Sequence, residues 1–193
     1  MSISQNEKIK IGVSACLLGA KCNFNGKDLL SPFLKSIEIQ SEVEFITFCP
    51  EDFVFQTPRP NLRIIDGDGF DVLDGKAKVI DELGENVTSK IIEGANHFLS
   101  LLNNKNIKYA ILMDGSPSCG SNVLLKEEGW PIGGFKRGLG VAAALLKKNG
   151  ILVLSSFDEK TICNFLNSIN ENLKFNEDLK DLKDFPKFKS LFE

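Results

Sequence analysis

The chain has 193 residues, with 23 Lys and Arg against 26 Asp and Glu for a net charge of −3, and it carries five Cys and one His. A single His rules out multi-His zinc or copper sites and the two-His iron triad, so thiolates are the commonest soft ligands and nucleophiles available. The acidic balance disfavours binding to a nucleic-acid backbone, and no apolar run approaches the roughly 20 residues that cross a bilayer.

Hydrophobic content of 42% and charged content of 25% are ordinary for a globular protein. The segment Met1–Lys10 is polar and lacks the apolar core of a signal peptide, which predicts a cytoplasmic, reducing setting. There, Cys residues serve metals or catalysis more often than disulfides. The expected division is one domain over 1–170 and a C-terminal helical tail over 171–193 packed on it, in a monomer or homodimer.

In chain order, residues 9–15 are short, apolar and β-branched and read as a buried strand. Residues 28–40 read as a helix, with Ser31-Pro32 as cap and first turn. Residues 43–48 read as a second strand, and Thr57-Pro58-Arg59-Pro60 is irregular because each proline removes a donor and fixes φ. Residues 62–65 and 70–73 are extended pieces predicted to pair as a hairpin around Asp66-Gly67-Asp68-Gly69.

Val87, Ile91, Ile92, Ala95, Phe98, Leu99 and Leu102 recur at helical spacing, which predicts a helix over 86–103. Residues 108–113 form another strand. The glycine-rich stretch Gly133–Gly140 opens into a helix over 141–148 that Gly150 ends. A strand over 151–154 and a helix over 158–170 follow. From Asn172 to Glu193, apolar residues at roughly helical spacing predict a docked amphipathic helix. This alternation of short strands and helices is the pattern of an α/β fold with a mostly parallel sheet.

Cys16, Cys49 and Cys119 each follow a predicted strand directly or within a few residues. In an open α/β sheet, ligands sit outside the carboxyl ends of the strands, so three strand-end thiols have a place to converge. No Cys-x-x-Cys is present, which leaves a zinc ribbon or a thioredoxin motif unsupported. Three thiols without a nearby His suit an iron–sulfur cluster better than catalytic zinc. Cys22 lies in a turn-rich loop and reads as a fourth ligand, a sulfur relay or a bystander. Cys163, among Ile162, Phe165 and Leu166, reads as core.

Several motifs extend the pattern: Val13-Ser14-Ala15-Cys16-Leu17-Leu18-Gly19, Cys22 with Gly26, Cys49-Pro50-Glu51, Thr57-Pro58-Arg59-Pro60, Ser116-Pro117-Ser118-Cys119-Gly120 and Gly138-Leu139-Gly140-Val141. Together they resemble the TudS family of thiouracil desulfidases, over most of the chain from about Ile9 to Leu154. The chain departs from the family pattern at Phe24-Asn25-Gly26, where Tyr-Asp-Gly is usual, and at Ser121–Leu125.

The resemblance implies a Rossmann-like three-layer α/β/α fold. It also implies a [4Fe-4S] cluster held by Cys16, Cys49 and Cys119, with one open iron. The implied reaction removes sulfur from a thiolated pyrimidine, a 2-thiouracil-like base or nucleotide, and tRNA is the less favoured substrate. Glu51 and Ser116 match the family's catalytic positions. Cys22, Thr57, Arg59, Gly138 and Gly140 are candidates for the substrate side, with Arg59's forked donors suited to a carbonyl or phosphate and the glycine-rich helix start suited to an anion or to close packing. Two other classes remain open on the residues alone: a metal-free persulfide sulfurtransferase using Cys22 or Cys119, and a non-catalytic module stabilised by its cysteines.

Overall fold

The computed structural model describes residues 8–126, 134–175 and 178–193. The polar N-terminus through Glu7, Gly133 at the head of the glycine-rich stretch, and Asn176 with Glu177 in the tail lie outside the described residues.

The first apolar run forms β1 (Ile9–Ser14), and the chain then turns through a short 3-10 helix, Ala15–Leu18. Helix α1 (Pro32–Glu38) starts where the Ser31 hydroxyl accepts from the Leu34 N–H, with proline in the first turn. It is followed by β2 (Val43–Phe48) and α2 (Pro50–Phe55). Next come β3 (Leu62–Ile65), α3 (Gly69–Leu73), β4 (Lys78–Asp81) and the long helix α4 (Thr88–Asn104). After β5 (Tyr109–Leu112), strands β6 (Val123–Leu125) and β7 (Phe135–Arg137) precede α5 (Val141–Lys148). The chain then runs through β8 (Leu152–Ser155) and α6 (Glu159–Ile169), and a single helical turn, α7 (Pro186–Lys189), lies near its end.

The central sheet has the order β2-β1-β5-β8, and its strand pairs are all parallel. Helices cover both faces, as an all-parallel sheet requires. On one face α1 and α6 (Leu34, Ile37, Ile162, Leu166) pack on Ile9, Ile11, Val13 and Ile111. On the other, α4 and α5 (Ile91, Ala95, Phe98, Leu102, Val141, Leu146) pack on Ala110, Leu112 and Val153. Alternate residues of β5 thus serve opposite cores. Gly12 lets α4 approach, because a Cβ there would stand 2.7 Å from a Leu102 methyl. The result is the three-layer α/β/α arrangement expected from the sequence.

Three expectations change. The partner of β3 is β4, antiparallel with Leu62 opposite Asp81, and not residues 70–73. Residues 69–73 are helical because Asp68 accepts from the Phe70 and Asp71 N–H groups while Asp71 accepts from the Asp68 N–H, a reciprocal cap. The glycine-rich stretch does open into α5, with Gly140 as its N-cap, but part of it is itself a strand, β7, which pairs with β6. The described part of the tail is no single helix. It holds a 3-10 turn, Leu182–Asp184, and then α7, separated at Pro186, which cannot donate to the preceding turn. Its apolar residues are nonetheless buried, with Leu182 2% and Phe188 1% exposed.

Candidate functional site

Because the strands are parallel, the carboxyl ends of β1, β2 and β5 open on one edge of the sheet, where the strand order turns outward from β1 in both directions. This is where such sheets form a crevice. A cavity of about 250 Å³ occupies it, and Cys16, Cys22, Cys49 and Cys119 all line that cavity. Cys16 sits on the 3-10 turn after β1. Cys49 caps α2, its sulfur accepting from the Asp52 N–H at 3.4 Å. Cys119 lies in the turn after β5, held by Ser116, whose hydroxyl accepts from the Ser118 and Cys119 N–H groups at 3.1 and 3.0 Å.

The Cys49 thiol reaches the Cys22 carbonyl at 3.7 Å. The neighbouring Cys16 thiol, then burial and nearby charge, push the Cys22 pKa up to about 12 against the opposing pull of Cys49. Cys49 is raised by Cys22, by burial and by the Glu51 carboxylate. Cys119 is raised mainly by burial and then by the charges of Cys49, Glu51 and Cys22. Each thiolate here disfavours its neighbours, a repulsion that a cationic metal centre would relieve.

Glu51 stands on the first turn of α2 and is buried at 9% exposure. Its Oε2 accepts from Arg59 Nη2 at 2.9 Å and Nε at 3.2 Å, and its Oε1 accepts from the Ser116 hydroxyl at 2.9 Å. The two backbone N–H groups occupy the lone pairs of Ser116 Oγ, so its proton is directed at Glu51. Arg59 also donates through Nη1 to the Cys22 carbonyl and to Thr57 Oγ1, both at 3.0 Å. Thr57 in turn donates to Asp52. Burial works against the guanidinium charge, but the Glu51 carboxylate outweighs it and holds the Arg59 pKa above its ordinary value.

Four of Arg59's five donors are therefore engaged within the chain, and its observed work is to hold Glu51 and the Cys22 loop. The bond between Thr57 and Pro58 is cis. Thr57, Gly138 and Gly140 do not line the cavity. The start of α5 is closed to an anion, because the Val141 and Ala142 N–H groups donate to the Pro117 and Ser118 carbonyls. Gly140 instead permits contact, since a Cβ there would stand 2.4 Å from the Ser118 carbonyl. Its place is in packing, the other role its sequence allows.

The cavity also recruits residues that were not candidates for the site, among them Asn23, Phe24, Asn61, Asp114 and Phe135. Asn23 and Asn61 accept, through Oδ1, only from the N–H of the residue that follows each, which leaves their NH2 groups without an acceptor among the described residues. Asp114 and Asn61 carried a usable signal, each being polar and next to a site motif. Phe135 carried none, since it reaches the cavity only through β6–β7 pairing.

Among the described residues, no three His, Cys, Asp or Glu side chains form a group that could hold a metal ion. A cube-shaped cluster spreads its protein ligands over separate irons and calls for wider spacing, which suits a ring of thiols around a cavity. The donor set around the cavity, four Cys and no His, fits an iron–sulfur cluster. No helix among the described residues is long and apolar enough to cross a membrane.

Comparison with known proteins gives the family and a related fold. A solved structure described as a [4Fe-4S]-dependent thiouracil desulfidase, TudS, matches with a TM-score of 0.69 at 32% identity, over 84% of this chain and 100% of that one. The uncharacterized protein YbbK of Bacillus subtilis (strain 168) is 40% identical over 144 residues, 74% of this chain and 93% of its own length. The family model for 2-thiouracil desulfurase matches residues 11–158, and the chain belongs to that family.

Proposed function

We propose that this chain is an iron–sulfur-dependent desulfidase that converts a thiolated pyrimidine and water to the oxo-pyrimidine and sulfide. The observation that carries the reading is the meeting of Cys16, Cys49 and Cys119 with the hydrogen-bonded pair Glu51 and Ser116 on one cavity. Cys16, Cys49 and Cys119 would hold a [4Fe-4S] cluster. When bound, it supplies an open iron as a Lewis acid toward the substrate sulfur.

The chain's own residues do the rest. Glu51, held in place by Arg59, takes a proton from the water that adds to the thiocarbonyl carbon. Ser116 steadies the carboxylate by donating to its other oxygen. The NH2 groups of Asn23 and Asn61 face no acceptor among the described residues and are available to a pyrimidine carbonyl or ring nitrogen. Phe24 and Phe135 supply aromatic surface for a flat ring.

Anaerobic reconstitution tests this reading. The wild-type chain should take up about four irons and turn brown, and the single variants C16S, C49S and C119S should each lose most of that iron. C22S should retain it. E51Q should keep the cluster and lose about 10²-fold or more in turnover of 2-thiouracil to uracil. A wild-type chain that stays colourless and iron-free sinks the proposal, and so does an E51Q variant of full activity.

A further inference from the structure

We infer that the C-terminal tail is a selectivity element of the cavity, acting through Phe135. The family match ends at residue 158, and the tail lies beyond it. Phe188 is 1% exposed and belongs to a small apolar cluster of its own, with Val123 and Leu182 as its other buried members. Its ring meets that of Phe135 edge-on, with centroids 4.7 Å apart, and Phe157 stands in the same relation at 5.3 Å. Lys187 lies over both Phe157 and Phe188, at 4.5 and 4.6 Å.

Phe135 is the tail's link to the site. It lines the cavity. Its Cε1 lies 3.3 Å from the place where a Cβ on Gly115 would stand, directly before Ser116. One side of this ring therefore bears on the tail, and the other on the loop that carries Ser116 and Cys119. Phe135 comes from β7, which among the described residues pairs only with the three-residue β6 and is separate from the central sheet. So short a ribbon is marginal by itself and takes its rigidity from what packs on it. Phe188 is thus a positioning residue: it holds Phe135 against the cavity wall and sets how large a ring the cavity accepts. That the ring is a thiolated pyrimidine rests on the desulfidase reading; the buttress itself does not.

The test uses the full-length chain. In the cluster-free protein, alkylation of Cys119 by N-ethylmaleimide, followed by peptide mass mapping, should run about tenfold faster in F188A than in wild type, the order expected for losing a buried aromatic contact that keeps the wall closed. F188L, which keeps an apolar side chain, should fall between the two. In the reconstituted enzyme, F188A should raise the KM for 2-thiouracil by a similar factor, with kcat and iron content close to wild type. If F188A does not fold, F188L and K187M carry the alkylation test. An unchanged Cys119 rate in a folded Phe188 variant overturns the inference. If wild-type protein turns over no thiolated pyrimidine, the desulfidase reading fails, and the alkylation rates still decide the role of the tail.

Discussion

Arg59 shows what a single residue does here. Its guanidinium side chain is 3% exposed and is paired with a Glu51 side chain that is 11% exposed. Removing one partner of such a pair strands the other charge, so R59M should destabilise the fold by about 3 kcal/mol, the lower end for buried pairs because a cavity adjoins it. Adding E51Q to R59M should restore part of that loss, because the stranded charge is gone. Urea unfolding of the two singles and the double closes the cycle, and strictly additive effects would contradict a direct interaction. The strand-end cysteines were legible from sequence because strand ends are. The pairing of Arg59 with Glu51 was not: residues eight apart meet through an irregular proline turn, which no periodicity encodes.

At the scale of elements, the errors and successes have physical causes. β1, β2, α4 and α6 carry their period in their own residues, and their observed spans lie within one or two residues of expectation. The false hairpin arose because Asp66-Gly67-Asp68-Gly69 has turn composition, whereas the reciprocal cap between Asp68 and Asp71 commits the next residues to a helix. β4 escaped notice because its two apolar residues, Val79 and Ile80, stand between Lys78 and Asp81, and β6 and β7 because three residues hold too little pattern to read. Of the two roles open to the start of α5, an anion site or close packing, the structure shows packing, since its N–H groups serve the Pro117–Ser118 carbonyls. That contact predicts the effect of G140A. A methyl 2.4 Å from the Ser118 carbonyl must displace either α5 or the loop that carries Cys119. The expected cost is about 1–3 kcal/mol, together with reduced iron uptake on reconstitution. Wild-type stability and iron content in G140A would show that the loop yields freely.

Across the whole molecule, two acids, one buried and one half-buried, tie distant parts together. Asp114, 4% exposed at the end of β5, accepts through one oxygen from the Ser121, Asn122 and Val123 N–H groups and through the other from Ser155 at the end of β8. Asp158 begins α6, accepts from the Leu182 N–H of the tail at 2.8 Å and from the Asn122 amide at 3.1 Å, and so joins the tail to the same loop. Burial, its largest influence, holds the Asp158 carboxyl above the usual range; Asp181 and Asp114 push the same way, and the Leu182 N–H and the Asn122 amide pull against them. A raised folded pKa means that the native state holds this proton more tightly than the unfolded chain does. The resulting stabilisation is full below the unfolded value near about pH 4 and is lost as pH rises through the folded value. Asn at this position keeps an acceptor for Leu182 and cannot ionise. Relative to D158N, the wild-type chain should therefore lose stability between about pH 4 and neutrality. Urea midpoints measured for both proteins across that range check it, and parallel curves would mean that Asp158 is as well solvated when folded as when unfolded.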